Sequence, residues 1–261
     1  MTNRSLAAAQ TVPVRGDVDA NLDEHLRLVR LAWEERPQVV VFPELSLTGY
    51  ELDLGPSLAF SEDDPRLAPL SELASAHAMT LVVGAPIRID SKLHVGAFIF
   101  RPDGGLDVYT KHHLGAFAPS DYPDGPVPPP EKTFFSPGDR NPVVDLGGST
   151  AAVAVCADTG QPAHAQAASD RGATAYLASA FAIPADIPYD VEKFTTYSKR
   201  HSMAVVFANF GGPSGGLPAG GTSAIWSEEG ELLVQLGPVG AGVAVATEAD
   251  GAWRIRALAP G

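Results

Sequence analysis

Short apolar runs alternate with stretches of helical periodicity along the whole chain, with no linker between them. Residues 5–12 (SLAAAQTV) read as a first strand. Over 17–36, Leu22, Leu26, Val29 and Trp33 recur at spacings of four, three and four, which predicts an amphipathic helix with that face inward. Asp17 stands at the N-cap position, and Asp19 and Asp23 fall in the first turns, where the helix dipole favours acids. Residues 38–42 (QVVVF) carry an unbroken apolar run, as expected of a strand covered on both faces. A helix over 65–79 and a strand over 80–84 follow, then a hairpin of 93–100 and 106–110 around the turn Pro102-Asp103-Gly104-Gly105.

Residues 115–142 lose all periodicity and hold Pro128-Pro129-Pro130. A long irregular loop inside a folded chain is more often functional than idle. Strand signals resume at 150–155, 173–178, 203–209, 222–226, 231–236 and 242–247, with helices expected at 162–171 and 188–202. No fixed repeat is present, so solenoids and propellers are excluded. Helices between buried strands, with hairpins, predict an α/β fold whose sheet faces are covered by helices. One domain over 1–261 is expected.

Composition is that of a globular chain, and a chain of this size with 45% hydrophobic and 19% charged residues needs neither disulfides nor a structural metal. The single cysteine excludes an intrachain disulfide and any Cys-rich zinc site. No apolar run is long enough to span a bilayer, and the start Met1-Thr2-Asn3-Arg4 lacks the pattern of a signal peptide, so a cytoplasmic location is expected. The net charge of −13, without a local Lys/Arg cluster, makes nucleic acid and anionic membrane poor partners. A small-molecule enzyme is the class that remains.

Three strand ends carry candidate chemistry. Val39-Val40-Val41-Phe42-Pro43 delivers Glu44, Leu106-Asp107-Val108-Tyr109-Thr110 delivers Lys111, and Thr150-Ala151-Ala152-Val153-Ala154-Val155 delivers Cys156. Singly, each has a plain alternative: a strand terminator, a solvated lysine, a small buried hydrophobe. Together they make a workable set. A free thiol of pKa ~8.5 is mostly protonated at neutral pH, so it needs a carboxylate to take its proton and gains from a nearby ammonium. The ammonium and a backbone N–H just after the nucleophile then suit the oxyanion of a tetrahedral intermediate.

These residues resemble the three catalytic segments of the nitrilase superfamily of carbon–nitrogen hydrolases: Val40-Val41-Phe42-Pro43-Glu44-Leu45-Ser46-Leu47-Thr48-Gly49-Tyr50, then Tyr109-Thr110-Lys111-His112-His113-Leu114, then Ala152-Val153-Ala154-Val155-Cys156-Ala157-Asp158. The likeness extends to Glu131-Lys132-Thr133-Phe134-Phe135-Ser136-Pro137-Gly138-Asp139, Ala208-Asn209-Phe210-Gly211 and Gly221-Thr222-Ser223-Ala224-Ile225, and so covers essentially the whole chain. The resemblance implies a four-layer αββα sandwich that assembles as a homodimer or higher homo-oligomer. It implies that Glu44 is general base, Lys111 stabilises the tetrahedral intermediate and Cys156 is nucleophile, with no metal and no organic cofactor. Glu131 stands where some members carry a second, positioning glutamate, and the Ala157 N–H is expected to share the oxyanion with Lys111. Phe117, Tyr122 and Phe181 are candidate pocket-lining residues.

The implied reaction is hydrolysis of a small linear amide through a thioester. Asp158, two residues after the nucleophile, resembles the amidase-like branches rather than true nitrilases. Other positions depart from the common pattern. Ala157 replaces an aromatic, and Gly160 replaces an arginine that in ω-amidase-like members helps recognise a substrate carboxylate, which puts dicarboxylate monoamides in doubt. Arg200-His201 replaces a Glu–Asn pair. Nitrile hydrolysis and N-carbamoyl hydrolysis are alternatives within the same chemistry, and a catalytically silent nitrilase-like binding protein is an alternative of another class. Gly212-Pro213-Ser214-Gly215-Gly216 fits a serine-hydrolase elbow, but no helix pattern follows it and the last histidine is His201. His112-His113 has no partner ligands at metal-binding spacing; His113 is expected to be a hydrogen-bonded structural residue near the site.

Overall fold

Among the described residues, thirteen strands and five α-helices build two sheets with helices on their outer faces. The structure, a computed structural model, describes residues 4–123 and 125–260; residues 1–3, on which the reading of the chain's start rests, lie outside the described residues. The first half holds β1 (Arg4–Gln10), β2 (Val39–Val41), β3 (Thr80–Ile89), β4 (Lys92–Phe100) and β5 (Leu106–Thr110). The second half holds β6 (Val143–Asp145), β7 (Thr150–Val155), β8 (Ala175–Ser179), β9 (Ala204–Ala208), β10 (Ala224–Trp226) and β11 (Leu232–Gln235), closed by β12 (Gly242–Ala249) and β13 (Ala252–Leu258). The helices are α1 (Val18–Trp33), α2 (Gly55–Leu58), α3 (Ala68–Ala76), α4 (Pro162–Asp170) and α5 (Ile187–His201).

One sheet runs β13-β12-β1-β2-β3-β4-β5 and the other β11-β10-β9-β8-β7-β6. Each has a parallel centre, β1-β2-β3 and β7-β8-β9, flanked by antiparallel strands. Alternate residues along a strand face opposite ways, and the core divides accordingly. Leu6, Ala8, Val39, Val41 and Val82 of the first sheet pack against Val153, Val155, Leu177 and Val206 of the second. The other faces pack on helices: Ala7, Val40 and Leu81 against Leu28, Val29 and Leu70, and Ala154, Tyr176 and Val205 against Ala165 and Phe194. The layers are therefore αββα, the sandwich expected from the resemblance.

The first helix forms where its periodicity predicts, capped by the Asp17 side chain, which accepts from Ala20 N at 3.0 Å. Its buried stripe is rotated from the predicted one. Asn21, His25, Leu28, Val29 and Ala32 are buried, whereas Leu22, Leu26 and Trp33 flank them half-buried. Two polar residues occupy the inward face because both are satisfied there. Asn21 bonds the Val14 backbone in both directions, and His25 joins Asn21 O at 2.6 Å and Ser46 Oγ at 2.8 Å. The predicted strand over 80–84 runs on to Ile89, and the predicted helix over 65–79 is a 3₁₀ turn, Pro65–Leu67, followed by α3. The described part of 115–142 is irregular apart from the 3₁₀ turns Pro119–Asp121 and Glu131–Thr133.

Candidate active site

The parallel strands β2 and β7 run from opposite sheets to the same end of the sandwich; β7 stops one residue before Cys156 and β2 three residues before Glu44. Beyond β2, Phe42 N bonds Val82 O at 2.8 Å, and the Phe42 carbonyl accepts from Ser179 Oγ, across the sheet interface, also at 2.8 Å. Leu45 then takes a left-handed conformation at φ +53°, turning the chain sharply after Glu44. Gly84 makes room for that turn, since a Cβ there would overlap the Pro43 carbonyl and the Leu45 amide. Lys111 follows β5, its backbone held between Val95 O and Gly138 N at 2.8 Å each. Cys156 follows β7 at φ +44° and opens the 3₁₀ turn Cys156–Gly160. A non-glycine residue so placed is strained by ~1–3 kcal/mol, the kind of cost that functional sites retain.

Lys111 is the hub. Its ammonium donates to Glu44 Oε1 at 2.6 Å and to Glu131 Oε1 at 2.7 Å, and all three side chains are fully buried. Glu131 is fixed further by Tyr50 Oη at 2.8 Å and by Gly115 N, which donates to Oε2 at 2.8 Å. The other Glu44 oxygen, Oε2, is buried with no hydrogen-bond partner. Cys156 makes only a long contact of its own, 3.8 Å from Sγ to Phe181 O, but the thiol lies close enough to Glu44 to favour its ionised form.

Burial pushes the Glu44 carboxyl up to about 7; Lys111 opposes the rise and Glu131 adds to it. Burial works against the Lys111 ammonium, but Glu44, Cys156 and Glu131 outweigh it and hold Lys111 charged. Burial also raises the Cys156 thiol, with Glu44 and Glu131 adding and Lys111 opposing, so the resting sulfur keeps its proton. The arrangement is a protonated thiol beside a carboxyl poised near neutrality, not a preformed thiolate–ammonium pair. Burial and then Glu131 raise the Tyr50 phenol, which stays a donor.

Asp158 is structural. Fully buried, it accepts from Tyr109 Oη at 2.7 Å, from His113 N and Nδ1 at 2.8 and 2.9 Å, and from His112 N at 3.4 Å. It thereby ties the segment after Lys111 to the turn after Cys156, and His113 is the hydrogen-bonded neighbour expected of it. Asn209 does similar work nearby, bonding Ala182 N and O and Gly221 O. Ser214, centre of the elbow-like match, is buried, accepts from Tyr50 N at 2.8 Å and donates to Glu51 at 3.2 Å. Among the described residues, no group of three His, Cys, Asp or Glu side chains is arranged to hold a metal ion, and no helix is long and apolar enough to cross a membrane.

A cavity of about 180 Å³ opens on Cys156 and is lined by Ala157 and Phe181 among others. Phe117 is not on its wall but packs edge-on to Phe181 and to Tyr50, with ring centroids 5.7 and 5.9 Å apart. Tyr122 packs against the inter-sheet core and lies outside the cavity lining. Tyr50 was not among the residues singled out from the sequence, although it closes the Val40–Tyr50 segment. A larger cleft of about 390 Å³ surrounds Arg4, Gln38 and Thr174, at the amino ends of the parallel strands and away from the thiol.

The carbon–nitrogen hydrolase family model matches residues 5–249. Among curated proteins, the glutamine-dependent NAD(+) synthetase of Thermotoga maritima is 26% identical over 239 residues, covering 89% of this chain and 40% of its own length. The nitrilase of Pyrococcus abyssi is 27% identical over 235 residues, covering 87% of this chain and 83% of its own. The chain spans about two fifths of the length of the NAD(+) synthetases it first matches. Among solved structures, the amidase of Nesterenkonia sp. AN1, one form of which was solved in complex with acrylamide, superposes with a TM-score of 0.80 at 24% identity, covering 95% of this chain and 91% of that one. That likeness concerns the fold. With a family match over nearly the whole chain and the nitrilase-type sandwich beneath it, this chain belongs to the carbon–nitrogen hydrolase family of the nitrilase superfamily.

Proposed function

We propose that the chain hydrolyses the C–N bond of a small linear amide through a thioester on Cys156, with Glu44 as general base, Lys111 as oxyanion donor and Glu131 as the residue that positions Lys111. The observation that carries this reading is the buried, unpartnered Glu44 Oε2, while Lys111 occupies the opposite oxygen. A carboxyl held near neutral pH accepts a proton and returns it with little cost in either direction.

In the reaction, the thiol proton passes to Glu44 as sulfur attacks the amide carbon. The oxyanion is held by the Lys111 ammonium and the Ala157 N–H. Glu44 then gives its proton to the departing nitrogen, the C–N bond breaks, and ammonia leaves the acyl group on sulfur. Water enters, Glu44 takes its proton, and hydroxide adds to the thioester carbon. The second tetrahedral intermediate expels the thiolate, which recovers its proton from Glu44. Phe181, which lines the cavity, and Phe117, packed behind it, shape the acyl site in this reading, and Tyr122 supports the loop outside it.

The acrylamide complex of the Nesterenkonia amidase and the glutamine dependence of the NAD(+) synthetases support an amide substrate. The Pyrococcus nitrilase favours a second reading, nitrile hydrolysis by the same residues. Ammonia release measured over amides, N-carbamoyl compounds and nitriles, with intact-mass detection of acyl-Cys156, tests both. Amide turnover with an acyl adduct is the expected result. Turnover of nitriles alone, or amide turnover that survives Cys156→Ala, overturns the amide reading. Iodoacetamide labelling of Cys156 no faster than a simple thiol, with no turnover of any substrate, identifies a silent binding protein instead.

A further inference from the structure

The wall of the cavity that opens on Cys156 carries charges that the hydrolytic residues do not use. The start of α5 and the segment before it place Asp186, Asp190 and Lys193 there, beside Thr159 and Gly160. Lys193 is already engaged. Its ammonium donates to Asp190 Oδ1 at 2.5 Å and to Thr159 Oγ1 at 2.9 Å, and both charged side chains are nearly buried. That pair is close to neutral as a unit.

Asp186 is left over. Among the described residues its carboxylate has no salt bridge, and the one hydrogen bond it accepts is a long 3.4 Å contact from Ile183 N. It is half-buried, and its neighbours make its charge less comfortable still. Burial raises its pKa, Asp190 raises it further, and Asp121, in the turn of the 115–142 loop, adds to this; Lys193 opposes only weakly. Gly160 contributes no side chain, and a Cβ there would meet open space. The wall therefore presents one carboxylate without an ion-pair partner, at the N-cap of α5 but making no side-chain capping bond, within the same small cavity as the nucleophile and with no free cation beside it.

A half-buried anion without a partner is relieved by a ligand that brings a positive charge, whereas a ligand carboxylate would meet it at close range in a poorly solvated space. We propose that Asp186 makes the enzyme selective for amides whose acyl chain carries a cationic group, an ammonium or guanidinium, a few bonds from the scissile carbonyl. The inference rests on the amide-hydrolase reading above. Asp186 is a specificity-determining residue here: it touches the substrate's distal group and takes no part in the bond cleavage.

The test compares kcat/KM for three primary amides of matched length: γ-aminobutyramide, valeramide and the monoamide of glutaric acid. The cationic amide is expected to exceed valeramide by about tenfold at low salt, with the carboxylate lowest and the spread narrowing at high ionic strength. In Asp186→Asn the ratio of cationic to neutral amide is expected to fall to about one. Valeramide turned over as fast as γ-aminobutyramide, a preference for the carboxylate (read by Lys193), or an unchanged ratio in Asp186→Asn overturns the inference while leaving amide hydrolysis standing. If none of the three is turned over while other amides of the wider panel are, this inference alone fails; if no amide of that panel releases ammonia or acylates Cys156, the hydrolase reading fails and this inference with it.

Discussion

Tyr50 donates its phenol hydrogen to Glu131 Oε1 at 2.8 Å, the same oxygen that accepts from Lys111 at 2.7 Å. One carboxylate oxygen thus receives two donors, and the Lys111 ammonium is aimed by a residue 61 positions before it in the chain. Removing the phenol leaves Glu131 with the Gly115 amide and the Lys111 ammonium alone, and in a less defined position. Tyr50→Phe is expected to lower kcat about tenfold, the worth of one hydrogen bond to a charged group, with little change in KM. Steady-state kinetics beside a thermal melt separates this from a packing role, in which the melting temperature falls and kcat stays put.

The pH dependence follows from Glu44. Only its ionised form accepts the thiol proton, so kcat/KM is expected to rise with pH through about 7. Glu131 is one of the charges that hold Glu44 up. Glu131→Gln removes that charge and is expected to move the acidic limb to lower pH, whatever it does to the maximum rate. A pH–rate profile of the two proteins decides it, and an unmoved midpoint contradicts the electrostatic coupling.

His25 makes the protein acid-sensitive. Burial lowers its pKa from 6.5 to about 4, so in the folded state it stays neutral while the unfolded chain takes up a proton. Its contribution is therefore complete above pH 6.5 and is lost as pH falls toward 4. His25→Gln is expected to flatten the fall in stability over that window, as read by urea midpoints at several pH values. A parallel fall in both proteins refutes the assignment.

Gly84 lies where the chain turns after Glu44. A methyl group at this position would press on the Pro43 carbonyl and the Leu45 amide, both backbone and neither able to yield cheaply. Gly84→Ala is expected to cost about 1–3 kcal/mol of stability and to displace Glu44. Equilibrium unfolding measures the first, and loss of ammonia release in protein that is still folded measures the second. A variant as stable and active as the parent would show that the turn relaxes freely.

Much of this molecule was legible in its sequence because strand ends are abrupt. Unbroken apolar runs stop at Glu44 and Cys156, and the structure ends β7 directly before Cys156 and β2 three residues before Glu44. What escaped was set by contacts distant in the chain. The α1 stripe was misread because Asn21 and His25 are polar by letter and buried by virtue of partners at Val14 and Ser46. The strand β13 was missed because AWRIRAL at a sheet edge keeps Arg254 and Arg256 exposed, paired to Glu35 just past the end of α1. β6 is only three residues long, and α2 only four. Tyr50 gave no local signal, since its partner Glu131 lies in a loop with no periodicity to read.

The bond from Ser179 to the Phe42 carbonyl joins the two sheets right where each yields a reactive group, acid from one and sulfur from the other. In the proposed reaction, proton acceptor and nucleophile are consequently carried on separate slabs whose alignment is dictated by the packing between them. Sliding one slab over the other by a fraction of an ångström would detune the chemistry before it loosened the protein. In that reaction, inter-sheet core residues such as Val41, Val155 and Leu177 act as spacers that calibrate turnover.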